Sequence, residues 1–322
     1  MGEYLKDITF VVIALNEEYA MPICLESILK LKKQNCEVIC IDSGSKDKTL
    51  EIMKSYSTSF DEIKIFQVDG DVNASVARNI GIKYAKKKYL FFVDGDVEIL
   101  GDFLAVALKR IEYYGAICGN LEEVEYTFDY SKVLNQKLRY PRTIEMEVSL
   151  FGGIFLTKSS VFQTIGLFDE KLGINEDNDF SLRMSMSEKI LYIPVIVGRH
   201  HTIPYQNPKR LMRQIKNEDS TNTSLLIKKN IKNPKLFQFL VTRPEIFFGI
   251  PFYSLCFLIL LTMEYDLFVL IALLFITDMI YGKYKKRNLP HRFVMHYINP
   301  IFVVKGFFKK SIPKKYIVKI IE

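Results

Sequence analysis

The sequence predicts an α/β fold in which a mixed, mainly parallel sheet is flanked by helices and followed by C-terminal hydrophobic and amphipathic helices. Three observations support this prediction. Short apolar, β-branched runs alternate with segments of helical periodicity through the first two thirds of the chain, which is typical of a parallel sheet covered on both faces. Polar residues stand where several of these runs end. After about residue 244 the composition changes to long, nearly uncharged runs.

Composition limits the class of protein. The chain has 322 residues, of which 49% are hydrophobic and 25% are charged, so a packed core is expected and gross disorder is not. The formal net charge is +7, and most of the basic excess follows residue 205. That asymmetry suggests an anionic partner: membrane lipid, nucleic acid or a phosphorylated substrate. The five cysteines form no C-x-x-C pair, and we expect reduced core cysteines, no zinc site and no signal peptide.

The predicted elements of the first two thirds follow one another in βα order. Buried strands are predicted at residues 8–15, 37–41, 63–68, 89–93 and 190–197. Helices are predicted from Glu17, with Asn16 as its cap, and over residues 48–56 and 74–86. In such sheets ligands bind beyond the carboxyl ends of the strands. Asn16, Asp42 and Asp94 all fall at those ends, so we expect them to form one site.

The run Asp94-Gly95-Asp96 ends one of these strands. Two carboxylates one residue apart at the edge of a sheet suit a hard divalent cation, which commonly holds a diphosphate. Asp-Gly-Asp is also ordinary turn chemistry, so the motif alone leaves both interpretations open.

Eight segments, taken in order, resemble the inverting family-2 glycosyltransferases, which have the nucleotide-sugar-binding GT-A fold. The segments are Val11–Glu18, Ile41–Thr49, Ala77–Gly81, Phe92–Asp96, Phe151–Gly153, Gly166–Glu170, Asn175–Arg183 and His200–His201. The resemblance covers roughly residues 8–215. Neither G-x-x-x-x-G-K nor G-x-G-x-x-G occurs, so phosphate-loop and dinucleotide-binding folds have no local support.

The resemblance implies that one set of residues binds a nucleotide sugar. These are Leu15, Asn16, Asp42, Arg78, Asn79, Asp94 and Gly153. Asp42 would accept the imide N–H of uracil, although it could instead only stabilise its turn. Arg78 would face phosphate or sugar hydroxyls, although a solvated basic helix face remains the alternative.

The resemblance also implies a metal site and a general base. Asp96 would be the direct ligand of Mg²⁺ or Mn²⁺, Asp94 would contact ribose or metal-bound water, and His201 would complete the metal sphere. Asp177 would remove the proton of the acceptor hydroxyl, with Glu176 as the alternative. An acidic first turn that only favours the helix dipole is the structural interpretation of this pair.

The last third has a different character. We predict a catalytic domain at residues 1–215, a basic connector at 216–243, and a membrane-associated helical hairpin with an amphipathic basic tail at 244–322. The apolar runs 246–263 and 267–281, separated by residues 264–266, are short for spans of about 20 residues. Two short spans, a re-entrant hairpin and a buried helical pair all remain possible. Basic flanks, including residues 283–287, favour a cytoplasmic location for both ends.

The predicted function is therefore that of a metal-dependent glycosyltransferase at the cytoplasmic face of the cell membrane. It would move a sugar from a UDP-linked donor, with inversion, to a hydroxyl of a lipid-linked or cell-surface glycan, and it would not bind nucleic acid. A polyprenyl-phosphate glycosyltransferase, a nucleotidyltransferase that releases pyrophosphate, and an inactive membrane scaffold are the alternatives.

Overall fold

The computed structural model describes residues 6–31, 36–58, 63–243, 249–262, 267–284, 289–310 and 312–321. Two compact units divide the chain, Met1–Ile203 with Ile312–Glu322, and Pro204–Ser311. The boundaries expected at 215 and 243 differ from this division, because a strand ends at Thr202 and a series of helices begins at Pro208. The turn expected at 264–266 and residues 285–287 of the basic flank lie outside the described residues.

The first unit contains the strands and six of the helices. Its strands are β1 (Ile8–Ala14), β2 (Glu37–Asp42), β3 (Ile63–Gly70), β4 (Tyr89–Asp94), β5 (Val97–Ile99), β6 (Ala116–Tyr126), β7 (Val133–Arg139), β8 (Met146–Val148), β9 (Phe155–Lys158), β10 (Ile190–Thr202) and β11 (Tyr316–Ile321). Its helices are α1 (Met21–Leu31), α2 (Thr49–Ser57), α3 (Ala74–Tyr84), α4 (Gly101–Ala107), α5 (Val161–Ile165) and α6 (Glu176–Met184).

These strands form one mixed sheet in the described part of the chain. The order is β11-β3-β2-β1-β4-β9-β6-β10-β5, with β7 beside β6 and β8 beside β10. The neighbours β3, β2, β1 and β4 are parallel, as are β6 and β10. Strand β9 runs antiparallel to both β4 and β6, so β4 and β6 point the same way. The predicted mixed sheet flanked by helices is confirmed.

A hydrophobic layer covers each face of the sheet. Along β1, Phe10 and Val12 belong to one layer with α1 and α4, while Val11 and Ile13 belong to the other with α3 and α6. Side chains alternate between faces along a strand, so burial on both faces requires an unbroken apolar run. This explains why the predicted strands 8–15, 37–41 and 89–93 agree closely with β1, β2 and β4.

Strand β11 brings the end of the described chain back to the sheet. It pairs antiparallel with β3, with Val318 opposite Val68, and Lys319 forms an ion pair of 2.8 Å with Asp69. Tyr316 and Val318 pack on one hydrophobic layer and Ile321 on the other. The sequence analysis expected an amphipathic tail here. The structure differs because the β-branched, nearly continuous apolar run Tyr316–Ile321 fits a strand at an open sheet edge.

The second unit is helical. Its helices are α7 (Pro208–Lys216), α8 (Thr221–Asn230), α9 (Leu236–Leu240), α10 (Ile250–Thr262), α11 (Leu267–Tyr284), α12 (Leu289–Phe293) and α13 (Asn299–Phe308). Helices α10 and α11 pack against each other, as expected for a helical pair. Asp278 of α11 is 1% exposed, and it pairs with Arg292 at 3.1 Å and accepts a hydrogen bond of 3.0 Å from Tyr297.

In the ranges that the structure describes, no helix combines the length and the apolar character needed to cross a membrane. Helix α10 has 13 residues and α11 has 18. Large apolar side chains on both helices are exposed, including Phe257 at 61% and Ile276 at 53%.

Candidate active site

The carboxyl ends of the parallel strands meet at one cleft. Pairing of Ile13 with Asp94 and of Ala14 with Asp42 sets the ends of β4, β1 and β2 level. The cleft has a volume of about 300 Å³, within the range of small-molecule sites. It is lined by Ile13, Ala14, Leu15, Glu17, Ser43, Asn73, Ala74, Arg78, Asp94, Gly95, Asp96 and Glu176. Residues distant in sequence therefore converge at this sheet edge.

The Asp94-Gly95-Asp96 turn depends on its glycine. The Gly95 N–H donates to the Ile13 carbonyl at 2.8 Å, which ties the turn to β1. A Cβ atom at Gly95 would lie 2.7 Å from Met21 Cε and 2.8 Å from Ala14 Cβ. Any side chain here would displace the turn, so glycine is needed to hold both carboxylates at the cleft.

Arg78 connects the two groups of acidic residues. Its Nη2 donates to Asp94 Oδ1 at 2.9 Å, and its Nη1 donates to Glu176 Oε1 at 2.5 Å. The residue is 2% exposed, and its guanidinium lies 5.6 Å from the centre of the Phe168 ring. Arg78 was expected to offer its charge to phosphate. In the structure, two carboxylates neutralise it, and it positions them relative to each other.

Gly153 lies against this ion pair. A Cβ atom there would be 2.6 Å from Arg78 Nη2 and 2.8 Å from Asp94 Oδ2. Gly153 was expected to allow close approach of the donor sugar or of the acceptor. In the structure the Arg78–Asp94 pair packs directly against Gly153, so a side chain at this position would clash with the pair.

The acidic pair stands at the first turn of α6. Burial raises the pKa of Glu176 to about 7, with Arg78 opposing this shift and the neighbouring Asp177 adding to it. Asp177 is only partly buried. Its Oδ1 accepts hydrogen bonds from the Asn178 backbone N–H at 2.7 Å and from Asn178 Nδ2 at 2.8 Å. Glu176 therefore lines the cleft and pairs with Arg78, whereas the partly buried Asp177 follows it in α6 and is not among the lining residues.

The two adjacent histidines point in different directions. His200 Nε2 lies 2.9 Å from Asp96 Oδ2, whereas His201 Nδ1 lies 2.9 Å from the Tyr126 hydroxyl. Burial lowers the pKa of His200, but the Asp96 carboxylate outweighs it and the net shift is upward. Burial lowers the pKa of His201, with Glu98 opposing. Neighbouring strand residues face opposite sides of the sheet. The structure thus places His200, and not the predicted His201, beside Asp96.

Asp42 and Asn16, which were expected to bind the nucleotide, accept hydrogen bonds from backbone N–H groups of a loop. Asp42 is fully buried, and its Oδ1 accepts a hydrogen bond of 3.2 Å from the Ser45 N–H. Asn16 Oδ1 accepts from the Lys46 N–H at 2.8 Å, and α1 begins at Met21 rather than at Glu17. These contacts match the turn-stabilising interpretation of Asp42.

The other two expected residues have different positions. Asn79 Nδ2 donates to the Phe168 carbonyl at 3.0 Å, and its Oδ1 accepts from the Phe168 N–H at 3.0 Å. Asn79 therefore holds the 168–170 loop and does not line the cleft. Leu15 does line it and is 50% exposed. The lining residues Ser43, Asn73 and Ala74 were not predicted, although Ser43 directly follows β2, Asn73 caps α3 and Ala74 begins it. Glu17 also lines the cleft, from the loop between β1 and α1.

Asp94 and Asp96 offer carboxylates of the kind that a divalent cation binds, and the His200 imidazole lies against Asp96. Carboxylate oxygens suit Mg²⁺ and Mn²⁺, and imidazole nitrogen suits Mn²⁺. Within the described ranges, no three acidic, histidine or cysteine side chains already surround one point. Such sites commonly draw their remaining ligands from substrate phosphates and water. The cofactor prediction is therefore compatible with the residues present at the cleft.

Sequence comparison finds similarity to known glycosyltransferases. Residues 9–164 match the family model described as "Glycosyl transferase family 2". Glycosyltransferase AglE of Haloferax volcanii is 27% identical over 172 residues, covering 52% of this chain and 54% of AglE. The poly-beta-1,6-N-acetyl-D-glucosamine synthase of Staphylococcus epidermidis is 25% identical over 206 residues, covering 60% of this chain and 49% of the synthase. Residues 9–164, just under half of the chain, are therefore similar to a glycosyl transferase family 2 domain, and the chain spans about half the length of these relatives.

Structural comparison supports the same fold. The crystal structure of GalNAc-T7 with UDP, GalNAc and Mn²⁺ superposes with a TM-score of 0.54 and 16% identity. The match covers 70% of this chain and 48% of that one. The expected GT-A-like architecture of the first unit is thereby confirmed.

Proposed function

We propose that this chain is an inverting glycosyltransferase that moves a sugar from a UDP-linked donor to a hydroxyl of a lipid-linked or cell-surface glycan. One observation carries the proposal: Asp94, Asp96 and Glu176 line a single cleft at the carboxyl edge of the sheet. The UDP and Mn²⁺ of the GalNAc-T7 structure support a UDP donor and a divalent cation. The name of the staphylococcal relative supports a glycan product.

The residues of the cleft have distinct roles in this reaction. The acceptor oxygen attacks the anomeric carbon from one side while the bond to the diphosphate breaks on the other. Asp177 takes the proton of the acceptor hydroxyl. Asp94, Asp96 and His200 would hold Mg²⁺ or Mn²⁺, which when bound neutralises charge on the departing diphosphate. Arg78 fixes Asp94 and Glu176 in place through its two ion pairs.

We further propose that the second unit attaches the enzyme to the cytoplasmic face of a membrane. Exposed apolar side chains support this location, including Phe257, Ile276 and, at 83% exposed, Phe308. Lys309 and Lys310 follow Phe308 directly and are also exposed. Apolar side chains beside lysines favour an anionic lipid surface.

Donor turnover provides the direct test. The full chain would be incubated with Mn²⁺ and a panel of UDP-sugars, with UDP release as the readout. We expect Asp96→Asn to lower UDP release by about 100-fold or more. Asp177→Asn should retain UDP binding by calorimetry and lose transfer by about 100-fold or more. Asp102→Asn is the matched control, because Asp102 is exposed in the first turn of α4. Release of sugar 1-phosphate with transfer of UMP in place of UDP release, or full turnover by Asp96→Asn, would contradict the proposal.

A further inference from the structure

An exposed aromatic cluster lies beside the cleft, and we call it the aromatic platform. It consists of Tyr19, Tyr126 and Tyr130, and the exposed Phe128 lies between the last two in the chain. The rings of Tyr19 and Tyr130 are stacked, with centroids 4.9 Å apart and planes inclined by 10°. Tyr126 and Tyr130 have centroids 5.4 Å apart. Tyr19 is 56% exposed and Phe128 is 54% exposed, so the cluster presents ring surface to ligands.

The turn between β6 and β7 carries Phe128 and Tyr130, and Tyr126 ends β6 directly before it. Asp129 Oδ1 accepts hydrogen bonds from Thr127 Oγ1 at 2.6 Å and from Ser131 Oγ at 2.8 Å. The Thr127 N–H donates to the Lys132 carbonyl at 2.9 Å. Tyr130 has a φ of +58°, a left-handed conformation that asparagine or glycine adopts more readily than tyrosine. The turn thus keeps a tyrosine in an unfavourable backbone conformation that stacks its ring on Tyr19.

The aromatic platform is continuous with the carboxylates of the cleft. Strand β6 runs in the same direction as β4, so Tyr126 and Asp94 end their strands at the same edge of the sheet. The Tyr126 hydroxyl lies 2.9 Å from His201 Nδ1, and the His201 N–H donates to the Asp96 carbonyl at 2.8 Å. One residue therefore separates the platform from the Asp94–Asp96 turn.

The position of the aromatic platform in the sheet indicates which substrate it would bind. The cleft residues Ser43, Asn73 and Ala74 lie at or beyond the ends of β2 and β3, where a nucleotide would bind. The β6–β7 turn belongs to the opposite half of the sheet, beyond β4 and β9. A ligand on that side would approach the carboxylates from the side away from the nucleotide, as an acceptor must.

The chemistry of the rings also favours a sugar. A sugar ring has an apolar C–H face that packs on an aromatic ring and hydroxyl groups at its rim that hydrogen-bond. Tyrosine offers the matching surface, because it has an apolar ring and a polar hydroxyl. We propose that the aromatic platform binds a sugar ring of the acceptor glycan. This inference rests on the proposed glycosyltransferase function and adds its acceptor subsite.

A single-tryptophan variant tests the proposal. The chain contains no tryptophan, so Tyr19→Trp introduces one fluorophore into the aromatic platform. With UDP and Mn²⁺ present, the variant would be titrated with methyl glycosides of glucose, galactose, mannose, rhamnose, N-acetylglucosamine and N-acetylgalactosamine. We expect a saturable change in emission with at least one glycoside. Adding Tyr130→Asn should raise that Kd by about tenfold, because it removes one ring while asparagine suits the backbone.

Two controls make every outcome decisive. Tyr113→Trp places the fluorophore before the start of β6, at an exposed position (81%), and should not respond. The proposal is overturned if no glycoside changes the emission of Tyr19→Trp, if Tyr113→Trp responds equally, or if Tyr130→Asn leaves the Kd unchanged. UDP binding by the wild-type chain is measured in parallel. Loss of sugar binding with UDP binding intact refutes the platform alone, whereas absence of UDP binding refutes the proposed function.

Discussion

The acidic residues at the cleft are stabilised by separate positively charged or polar partners. Arg78 is buried between Asp94 and Glu176, so its positive charge offsets the repulsion among carboxylates that burial would otherwise intensify. Asp96 has a separate partner in His200. The acidic residues can therefore stand together before any cation or substrate arrives, and the geometry of the site is built into the fold.

The two histidines should differ in their effect on cation binding. We expect His200→Ala to weaken Mn²⁺ binding in the presence of UDP by roughly tenfold or more, because its imidazole contacts Asp96. His201→Ala is the matched variant one position along the same strand, and it should have the smaller effect, since its Nδ1 contacts Tyr126. Calorimetric titration with Mn²⁺ measures both. A larger loss for His201→Ala would restore the original expectation for this pair.

Glu176 should make the stability of the fold depend on pH. Its pKa is raised from 4.5 to about 7, so between these values the folded chain binds more protons than the unfolded chain. The free energy of unfolding contributed by this group therefore falls as pH rises from 4.5 to about 7. Glu176→Gln remains neutral and should flatten this part of the profile. Urea unfolding of both proteins across this range measures the difference, and parallel profiles would contradict the prediction.

Sequence reasoning identified the acidic residues but not all of their contacts. Asp94 and Asp96 could be predicted because a strand end is recognisable from the apolar run before it. The choice between His200 and His201 could not, because it depends on which face of β10 each residue occupies. Arg78 was predicted at the site, but its burial between two carboxylates depends on α6, which is 98 residues away in the chain.

Among the secondary-structure elements, β11 depends on a glycine in its neighbour. Gly70 has a φ of +109°, and a Cβ atom there would lie 2.5 Å from the Lys315 carbonyl oxygen. We expect Gly70→Ala to lower the free energy of unfolding by about 2 kcal/mol, through backbone strain and displacement of β11. Thermal unfolding and proteolysis near residue 315 would measure the two effects.

Gly166 provides the control for that substitution. It also has a positive φ, +81°, but no atom lies within 4 Å of its Cβ position. Gly166→Ala should therefore cost only the backbone strain, about 1 kcal/mol, without loosening β11. Equal destabilisation by the two substitutions would show that contact with Lys315 contributes nothing.

The elements differ in how well the sequence predicted them. Strands β1, β2 and β4 were clear because burial on both faces requires continuous apolar residues. Strand β10 continues to Thr202, beyond the predicted end at 197, because polar residues such as Arg199 and His200 point into an ion-paired network. Strand β11 was missed because its short apolar run, which contains a single lysine, follows a basic segment that fits an amphipathic tail, and only pairing with the distant β3 identifies it as a strand.

At the scale of the whole molecule, the first unit is formed by two separate stretches of chain. Deleting residues 312–322 should lower the thermal unfolding midpoint and promote aggregation, because β3 would become an unpaired sheet edge. Scanning fluorimetry and light scattering would measure both effects. Lys319→Ala removes only an exposed ion pair with Asp69 and should change stability by less than about 1 kcal/mol. Unaltered unfolding of the deletion variant would show that β11 is dispensable.

The same connectivity affects any test of membrane attachment. Removing residues 244–322 would take away β11 together with α10, α11 and α13, so lost sedimentation with membranes could reflect damage to the sheet. Substitution of exposed residues avoids this. Phe308→Ser with Lys309→Ser should weaken flotation with phosphatidylglycerol vesicles while leaving the strands intact, since both lie in the second unit. Unchanged flotation would count against the proposed attachment.

The return of β11 to β3 also has a consequence for biosynthesis. The ribosome makes residues 204–311 after most of the catalytic unit and before its edge strand. At ordinary rates of translation, β3 therefore waits for roughly ten seconds without its partner. During that interval the nascent helices are already available to lipid, and the edge of the sheet is open to other chains. We expect newly made protein to bind the lipid surface before the sheet is complete. We also expect chaperones that shield exposed strands to improve the yield of the protein.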